Sequence, residues 1–276
     1  MEGSARLSAD PKAPPVHDEL PGAPAPSPYD DGDLYDVVFR DFDMDRTFFV
    51  GLAREAKGPV LEVACGTGRL LIPCLEAGAD VDGIDAFPAM LRTLRRKAKA
   101  LGLEPNVTEA DMRDFTLPRR YVLVTIPFNA FLHNLTLEDQ LSTLRCCREH
   151  LEPGGRLVMH ISFFGASTIA TSGQGPVLEM ETVHPVTGHT LRLYDGRTMN
   201  PVEQLQHSIN EIHEIDAKGN TLAVHRTETW VRWIHKPELE LLLREAGFPR
   251  YEILGGFDGR KLESEEDQMV VFAWKD

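Results

Sequence analysis

The sequence predicts an α/β protein built on a doubly wound, mostly parallel sheet, with an antiparallel β insertion before the last helix. From Val60 to residue 162, short apolar runs alternate with helical patterns, which is typical of a parallel sheet covered by helices. Residues 163–234 interrupt this alternation with long strand-like segments, and helical spacing returns at residues 236–248. A chain of 276 residues is long enough for one large domain that carries such an insertion.

The elements follow in order from the N-terminus. Residues 1–28 are rich in Pro, Ala and acidic residues and offer little to bury, so we expect a flexible tail. Residues 29–57 place apolar residues at loosely helical intervals, which predicts a cap of one or two helices. The core then spans residues 58–162, the insertion spans residues 163–234, and residues 235–276 complete the core sheet.

Within these segments, apolar runs and turn residues define the individual elements. The predicted core strands are residues 59–63, 80–85, 106–110, 121–126 and 156–162, with two more near 250–255 and 268–274. The predicted core helices are residues 68–77, 88–101, 137–151 and 236–248, and the turn "EPGG" separates the third of them from its strand. The insertion contains predicted strands at 190–200, 203–216 and 221–234, with a hairpin turn at 217–220.

Charge and cysteine content exclude several functional classes. The net charge of −14, from 29 basic and 43 acidic side chains, argues against partners rich in phosphate, such as nucleic acids, and against anionic membrane surfaces. The four cysteines lack zinc-site spacing, and we expect free thiols and no metal site. No apolar run approaches the length of a membrane span, so we expect a soluble, cytoplasmic protein.

The segment "VLEVACGTGRL", residues 60–70, has the form of a strand that turns into a helix across a ligand. A dinucleotide-binding turn needs a third small residue, and Leu71 stands there instead. A phosphate loop needs G-x-x-x-x-G-K-[S/T], which the sequence lacks. Glu62 would also be an unfavourable neighbour for a pyrophosphate. Both phosphate interpretations are therefore weak.

A cationic ligand without phosphate, such as S-adenosylmethionine, fits this turn better. Gly66 and Gly68 let the main chain approach the methionine part, and the amides at the helix start can bind its carboxylate. Asp85, at the end of the second strand, can accept hydrogen bonds from both ribose hydroxyls. Asp111 follows the third strand and can accept from the adenine amino group, while the Met112 thioether suits an adenine face.

Four motifs occur in order and with consistent spacing: E-x-A-C-G-T-G, G-I-D-x-x-x-x-M-L, D-M-R-D-F and E-P-G-G before a strand. Together they resemble the class I S-adenosylmethionine-dependent methyltransferases, and in particular the small-molecule branch that includes aminosugar and glycine/sarcosine N-methyltransferases. The resemblance covers roughly residues 30–275 and is strong through residues 60–162. It implies a seven-stranded sheet whose last strand is antiparallel, S-adenosylmethionine as cofactor and methyl transfer as the activity.

The resemblance also implies a set of cofactor contacts. By position, these fall on Tyr35, Glu62, Ala64, Cys65, Gly66, Gly68, Asp85, Ala86, Met90, Asp111, Met112, Ile126 and Phe128. Tyr35 and Asp36 match the "YD" of a helix that closes over the cofactor. The sequence departs from the family at Phe87, where a Ser is common, and at Tyr121, where an acidic residue often opens the fourth strand.

Methyl transfer displaces a neutral thioether, so that positioning of the acceptor carries much of the rate. A base is needed only for a protonated amine or a hydroxyl acceptor, and His133 and His160 are the candidates. A core histidine is the alternative for His160. The residues expected to contact the acceptor are Asn129, His133, Phe163, Trp230 and Arg232.

We expect a small-molecule acceptor, with an N-acceptor favoured by the resemblance and by the acidic charge. Two alternatives stay open: an O-methyltransferase that uses a His base, and a non-catalytic S-adenosylmethionine-binding protein. We expect a monomer or a homodimer.

Overall fold

A seven-stranded sheet forms the centre of the computed structural model, which describes residues 26–173 and 175–276. The strands are β1 (Val60–Val63), β2 (Val81–Asp85), β3 (Asn106–Glu109), β4 (Tyr121–Ile126), β5 (Leu151–Ser162), β10 (Arg250–Leu254) and β11 (Gln268–Trp274). Their order is β10-β11-β5-β4-β1-β2-β3, and β11 alone runs antiparallel to its neighbours. The predicted fold class is confirmed.

Helices cover both faces of this sheet. They are α1 (Gly32–Val38), α2 (Arg46–Glu55), α3 (Leu71–Glu76), α4 (Pro88–Ala100), α5 (Leu137–His150), α6 (Ala166–Ile169) and α7 (Lys236–Glu245). Val60 packs with α2, α3 and α4 on one face, whereas Leu61 and Val63 pack with α5 and α7 on the other. This alternation explains why β1 is apolar at both kinds of position. None of the described helices has the length and apolar character that a membrane crossing requires.

A second sheet of four antiparallel strands lies between β5 and α7 in the chain. It comprises β6 (Val177–Val183), β7 (Thr190–Asn200), β8 (Leu205–Ile215) and β9 (Thr221–Arg232), paired in that order. Leu191 and Ile212 of this sheet pack against Val38 of α1. At the free edge of β9, the backbone N–H of Glu228 donates to the Pro26 carbonyl at 2.9 Å. The second sheet and the N-terminal segment therefore close over the same side of the core.

Several element boundaries differ from the prediction. The helix predicted at 68–77 begins at Leu71, because Gly66 and Gly68 hold the preceding turn at positive φ. The "EPGG" segment is not a turn but part of β5, where the backbones of Gly154 and Gly155 pair with Lys275. The helix predicted to reach residue 248 ends at Glu245.

Two further segments were not anticipated. Strand β6 and the short helix α6 were not predicted, and of the expected tail 1–28, residues 1–25 lie outside the described residues.

Candidate active site

A cavity of about 470 Å³ opens where the carboxyl ends of β1, β2 and β4 meet α1 and the second sheet. From β1 the chain proceeds to β2 and β3 on one side and later to β4 and β5 on the other. Open α/β sheets bind ligands at such a switch in strand order, outside the carboxyl ends of the strands. The fold therefore positions this cavity as the candidate active site.

Gly66 and Gly68 differ in what surrounds them. At Gly66, with φ +55°, a methyl group in place of hydrogen would contact only the Met90 Cε atom, at 3.7 Å. At Gly68, with φ +83°, it would lie 2.9 to 3.0 Å from Leu94 and Ile72. Gly66 thus leaves room in the cavity, whereas Gly68 lets the turn pack against the neighbouring helices. Gly68 does not line the cavity.

The carboxylate of Asp85 joins the ends of β1 and β2. One oxygen accepts from the Gly66 N–H at 2.7 Å, and the other accepts from the Phe87 N–H at 2.9 Å. Burial raises the pKa of Asp85, and the two backbone hydrogen bonds act against this rise. A carboxylate has about four acceptor sites, so this arrangement leaves acceptor capacity for ligand hydroxyls.

Glu62 and Arg69 both line the cavity but do not form a hydrogen-bonded pair. The Glu62 side chain is buried, and this burial raises its pKa to about 8, against the opposing charge of Arg69. The Arg69 guanidinium donates to both carboxylate oxygens of the buried Asp45, at 2.5 and 2.7 Å. It also lies over the rings of Phe42 and Phe128. Arg69 therefore forms its ion pair with Asp45 and not with Glu62.

Backbone conformations of unusual energy cluster at this cavity. Among residues 26–173 and 175–276, four non-glycine residues have positive φ, and three of these, Ala64, Phe128 and Asn129, line the cavity. The Asn129 side chain accepts from the Ser162 N–H at 2.6 Å and donates to its hydroxyl at 2.9 Å, which holds the loop after β4 in place. Such conformations persist where the surroundings over-determine them, and they concentrate at ligand sites.

Tyr29 and His133 form a hydrogen-bonded pair at the rim of the cavity. The Nδ1 atom of His133 lies 3.2 Å from the Trp230 carbonyl, and its Nε2 atom lies 2.8 Å from the Tyr29 hydroxyl. A carbonyl only accepts, so Nδ1 carries the proton and Nε2 accepts from Tyr29. Burial lowers the pKa of His133, which favours the neutral ring. Tyr29 was missed in the sequence because it adjoins the Pro-rich segment.

The structure brings most of the predicted residues together and leaves others apart. The predicted residues that line the cavity are Tyr35, Glu62, Ala64, Cys65, Gly66, Asp85, Ala86, Met90, Met112, Phe128, Asn129 and His133. The predicted residues outside this lining are Gly68, Asp111, Ile126, His160, Phe163, Trp230 and Arg232.

The contacts of the charged and polar residues in the second group explain their positions. The Asp111 carboxylate is bound by the side chain and backbone N–H of its neighbour Arg113. The His160 Nε2 atom donates to Gln268 at 2.8 Å. Arg232 is buried and donates to Gln140 and Glu238.

The apolar members of that group pack elsewhere. Ile126 belongs to the core, Phe163 contacts the ring of His235, and Trp230 stacks on His207 with ring centroids 4.2 Å apart.

Comparison with known proteins agrees with this geometry. Residues 60–155 match the family described as methyltransferase domain. The chain is 26% identical over 248 residues to a dTDP-3-amino-3,4,6-trideoxy-α-D-glucopyranose N,N-dimethyltransferase of Streptomyces venezuelae, covering 84% of this chain and 96% of that protein. The core of this chain is an S-adenosylmethionine-dependent methyltransferase domain.

Two further proteins resemble this methyltransferase over most of their length. A cypemycin N-terminal methyltransferase of Streptomyces is 26% identical over 212 residues, which cover 77% of this chain and 81% of that protein. The crystal structure of the sugar N-methyltransferase KedS8 from Streptoalloteichus superposes with a TM-score of 0.69 at 20% identity, covering 99% and 100% of the two chains. This structural likeness shows that the two proteins share a fold.

S-adenosylmethionine is the cofactor of this family, and the residues of the cavity fit it. The hydrogen at Gly66 leaves open space where a Cβ would enter, and Glu62 and Asp85 offer carboxylates to a cation and to hydroxyls. Tyr35, Met90 and Met112 add apolar and polarizable surface. This methyltransferase therefore has the groups that a phosphate-free, cationic cofactor requires.

Proposed function

We propose that this methyltransferase methylates the nitrogen of a small amine. The observation that carries the proposal is the charge of the cavity. Asp31, Asp85 and Asp195 line it, and Arg69 is the only Lys or Arg among the lining residues that the structure describes. Since Arg69 is bound to Asp45, the lining favours cations. The N-methyltransferases named above support the same acceptor class.

In this proposal, the cofactor residues act by binding and orientation. S-adenosylmethionine supplies an electrophilic methyl group on a sulfonium. Asp85 would accept hydrogen bonds from the ribose hydroxyls, Gly66 would leave space for the methionine part, and Met112 would contact the adenine. Glu62 also lines the cavity, and a cation bound beside it would shift its carboxyl toward the ionised form.

The Tyr29–His133 pair is our candidate for proton handling. The unprotonated Nε2 atom of His133 accepts a hydrogen bond from the Tyr29 hydroxyl, and both residues line the cavity. An amine that loses a proton on methylation could pass it through this hydroxyl to Nε2, because a hydroxyl both donates and accepts. His160, which lies outside the cavity lining, has no part in this proposal.

The test is transfer of isotope-labelled methyl groups from S-adenosylmethionine to amines and to the alcohols of the same skeleton. We expect label on nitrogen, located by mass spectrometry and NMR, and a lower rate at neutral pH in His133→Asn. Label on oxygen, or no transfer by a protein that binds the cofactor, would contradict the proposal.

A further inference from the structure

Three polar side chains form a row across the face of the second sheet that lines the cavity. Asp195 of β7 lies directly opposite Asn210 of β8, and Asn210 lies directly opposite Thr227 of β9. Residues directly opposite each other on antiparallel strands share one face of a sheet. All three line the cavity, so the row belongs to its wall opposite the glycine turn.

Two atoms of this row, the Oδ1 atom of Asp195 and the hydroxyl of Thr227, are buried and have no hydrogen-bond partner among residues 26–173 and 175–276. The other carboxylate oxygen of Asp195 accepts from the Arg197 Nε atom at 2.8 Å. Asp195 is 8% exposed, so solvent has little access to it. A buried polar atom without a partner costs free energy, which a ligand can recover by supplying the hydrogen bond.

The chemistry of the two atoms defines what this ligand presents. A carboxylate oxygen accepts only, so Asp195 requires an N–H or O–H donor, whereas the Thr227 hydroxyl can donate or accept. The charge of Arg197 is shared between Asp195 and Glu179, which leaves this group of three side chains with a net negative charge. Such a wall attracts an amine and repels a phosphate.

We infer that Asp195, Asn210 and Thr227 form the acceptor subsite and that the acceptor is a hydroxylated amine that carries no phosphate. This inference rests on the proposed function and narrows its substrate class. The inferred acceptor differs from that of the Streptomyces venezuelae relative, whose named substrate is linked to dTDP.

The experiment measures equilibrium binding to protein saturated with S-adenosylhomocysteine. The two probes are free 3-amino-3,6-dideoxyglucose and its dTDP-linked form. The variants are Asp195→Asn, which removes the charge, and Thr227→Val, which preserves the shape and leaves the Arg197 pair intact. Glu211→Gln is the matched control, because Glu211 adjoins Asn210 but points to the opposite face of β8.

We expect the wild type to bind the free amino sugar at least as tightly as the dTDP-linked form. Both subsite variants should bind the free sugar about tenfold more weakly, while Glu211→Gln binds as wild type and all variants keep their affinity for S-adenosylhomocysteine. Unchanged binding by both subsite variants, tighter binding of the dTDP form, or no binding of the free sugar would overturn the inference. Binding of the free sugar without methyl transfer would instead overturn the proposed function.

Discussion

Gly66 and Gly68 both have positive φ angles, but adding a side chain has different consequences at the two positions. A Cβ at Gly68 would press on Leu94 and Ile72, whereas a Cβ at Gly66 would enter the cavity next to Met90. The same chemical change therefore tests packing at one position and ligand binding at the other.

We predict that Gly68→Ala lowers the free energy of unfolding by about 2–4 kcal/mol, from the positive φ and from overpacking. Gly66→Ala should cost about 1 kcal/mol of stability, from φ alone, but weaken S-adenosylhomocysteine binding by at least tenfold. Denaturant unfolding and calorimetric titration measure the two effects. If Gly68→Ala weakened S-adenosylhomocysteine binding as much as Gly66→Ala does, Gly68 would also contact the ligand, which would contradict this prediction.

Among the secondary-structure elements, α1 is held against the core by hydrogen bonds and ion pairs of its acidic residues. Asp36 accepts from the Thr67 hydroxyl of the glycine turn at 2.5 Å and from Lys97 of α4 at 2.6 Å. Asp33 pairs with Arg96 of α4. Thr67 and α1 both line the cavity. The position of α1 therefore affects the shape of the ligand site.

We predict that Thr67→Val weakens this coupling without changing the volume of the side chain. Amide hydrogen exchange across residues 32–38 should accelerate by about tenfold, the effect of losing one hydrogen bond to a charged group. The affinity for S-adenosylhomocysteine should fall with it. Asp41→Asn, at an exposed carboxylate of the same segment, is the control. Unchanged exchange in Thr67→Val would show that this bond does not hold α1.

At the scale of the whole molecule, the raised pKa of Glu62 makes stability depend on pH. The pKa of this carboxyl rises from 4.5 to about 8 on folding, so folding favours its protonated form. Its stabilising contribution is complete below about pH 4.5 and is lost as the pH rises through 8.

Glu62→Gln, which is neutral at every pH, should therefore become more stable relative to wild type as the pH rises from 5 to 9. The expected gain in the free energy of unfolding of the ligand-free protein is on the order of 2–4 kcal/mol. Urea unfolding at both pH values measures it, and Glu55→Gln on the surface is the control. A difference that stays constant with pH would show that Glu62 is ionised throughout.

The sequence was sufficient to predict the residues expected to bind the cofactor, because these residues lie in short, continuous segments of the chain. Gly66 and Asp85 follow directly from strand–turn–helix patterns, in which the end of a strand and the start of a helix fix the position of a side chain. Glu62 was implied by the family resemblance. The seven-stranded sheet with an antiparallel last strand followed from the resemblance. The order of the strands was not predicted, since the strands themselves do not disclose their neighbours.

The opposite wall could not be predicted in the same way. Polar residues that alternate along a strand indicate one polar face, but not whether that face meets solvent or a cavity. Asp195 and Thr227 line the cavity only because α1 and residues 26–29 close over the second sheet. Asp111 was predicted as a ligand residue, but its partner Arg113, two positions away, holds its carboxylate.

The central claim is that this cavity binds S-adenosylmethionine through Asp85. Isothermal titration with S-adenosylmethionine and S-adenosylhomocysteine, comparing wild type with Asp85→Ala, tests it directly. Asp80→Ala, at the exposed side chain just before β2, is the matched control. We predict micromolar binding to wild type and to Asp80→Ala, and at least tenfold weaker binding to Asp85→Ala. Absence of binding to wild type, or equal binding to Asp85→Ala, would contradict the account.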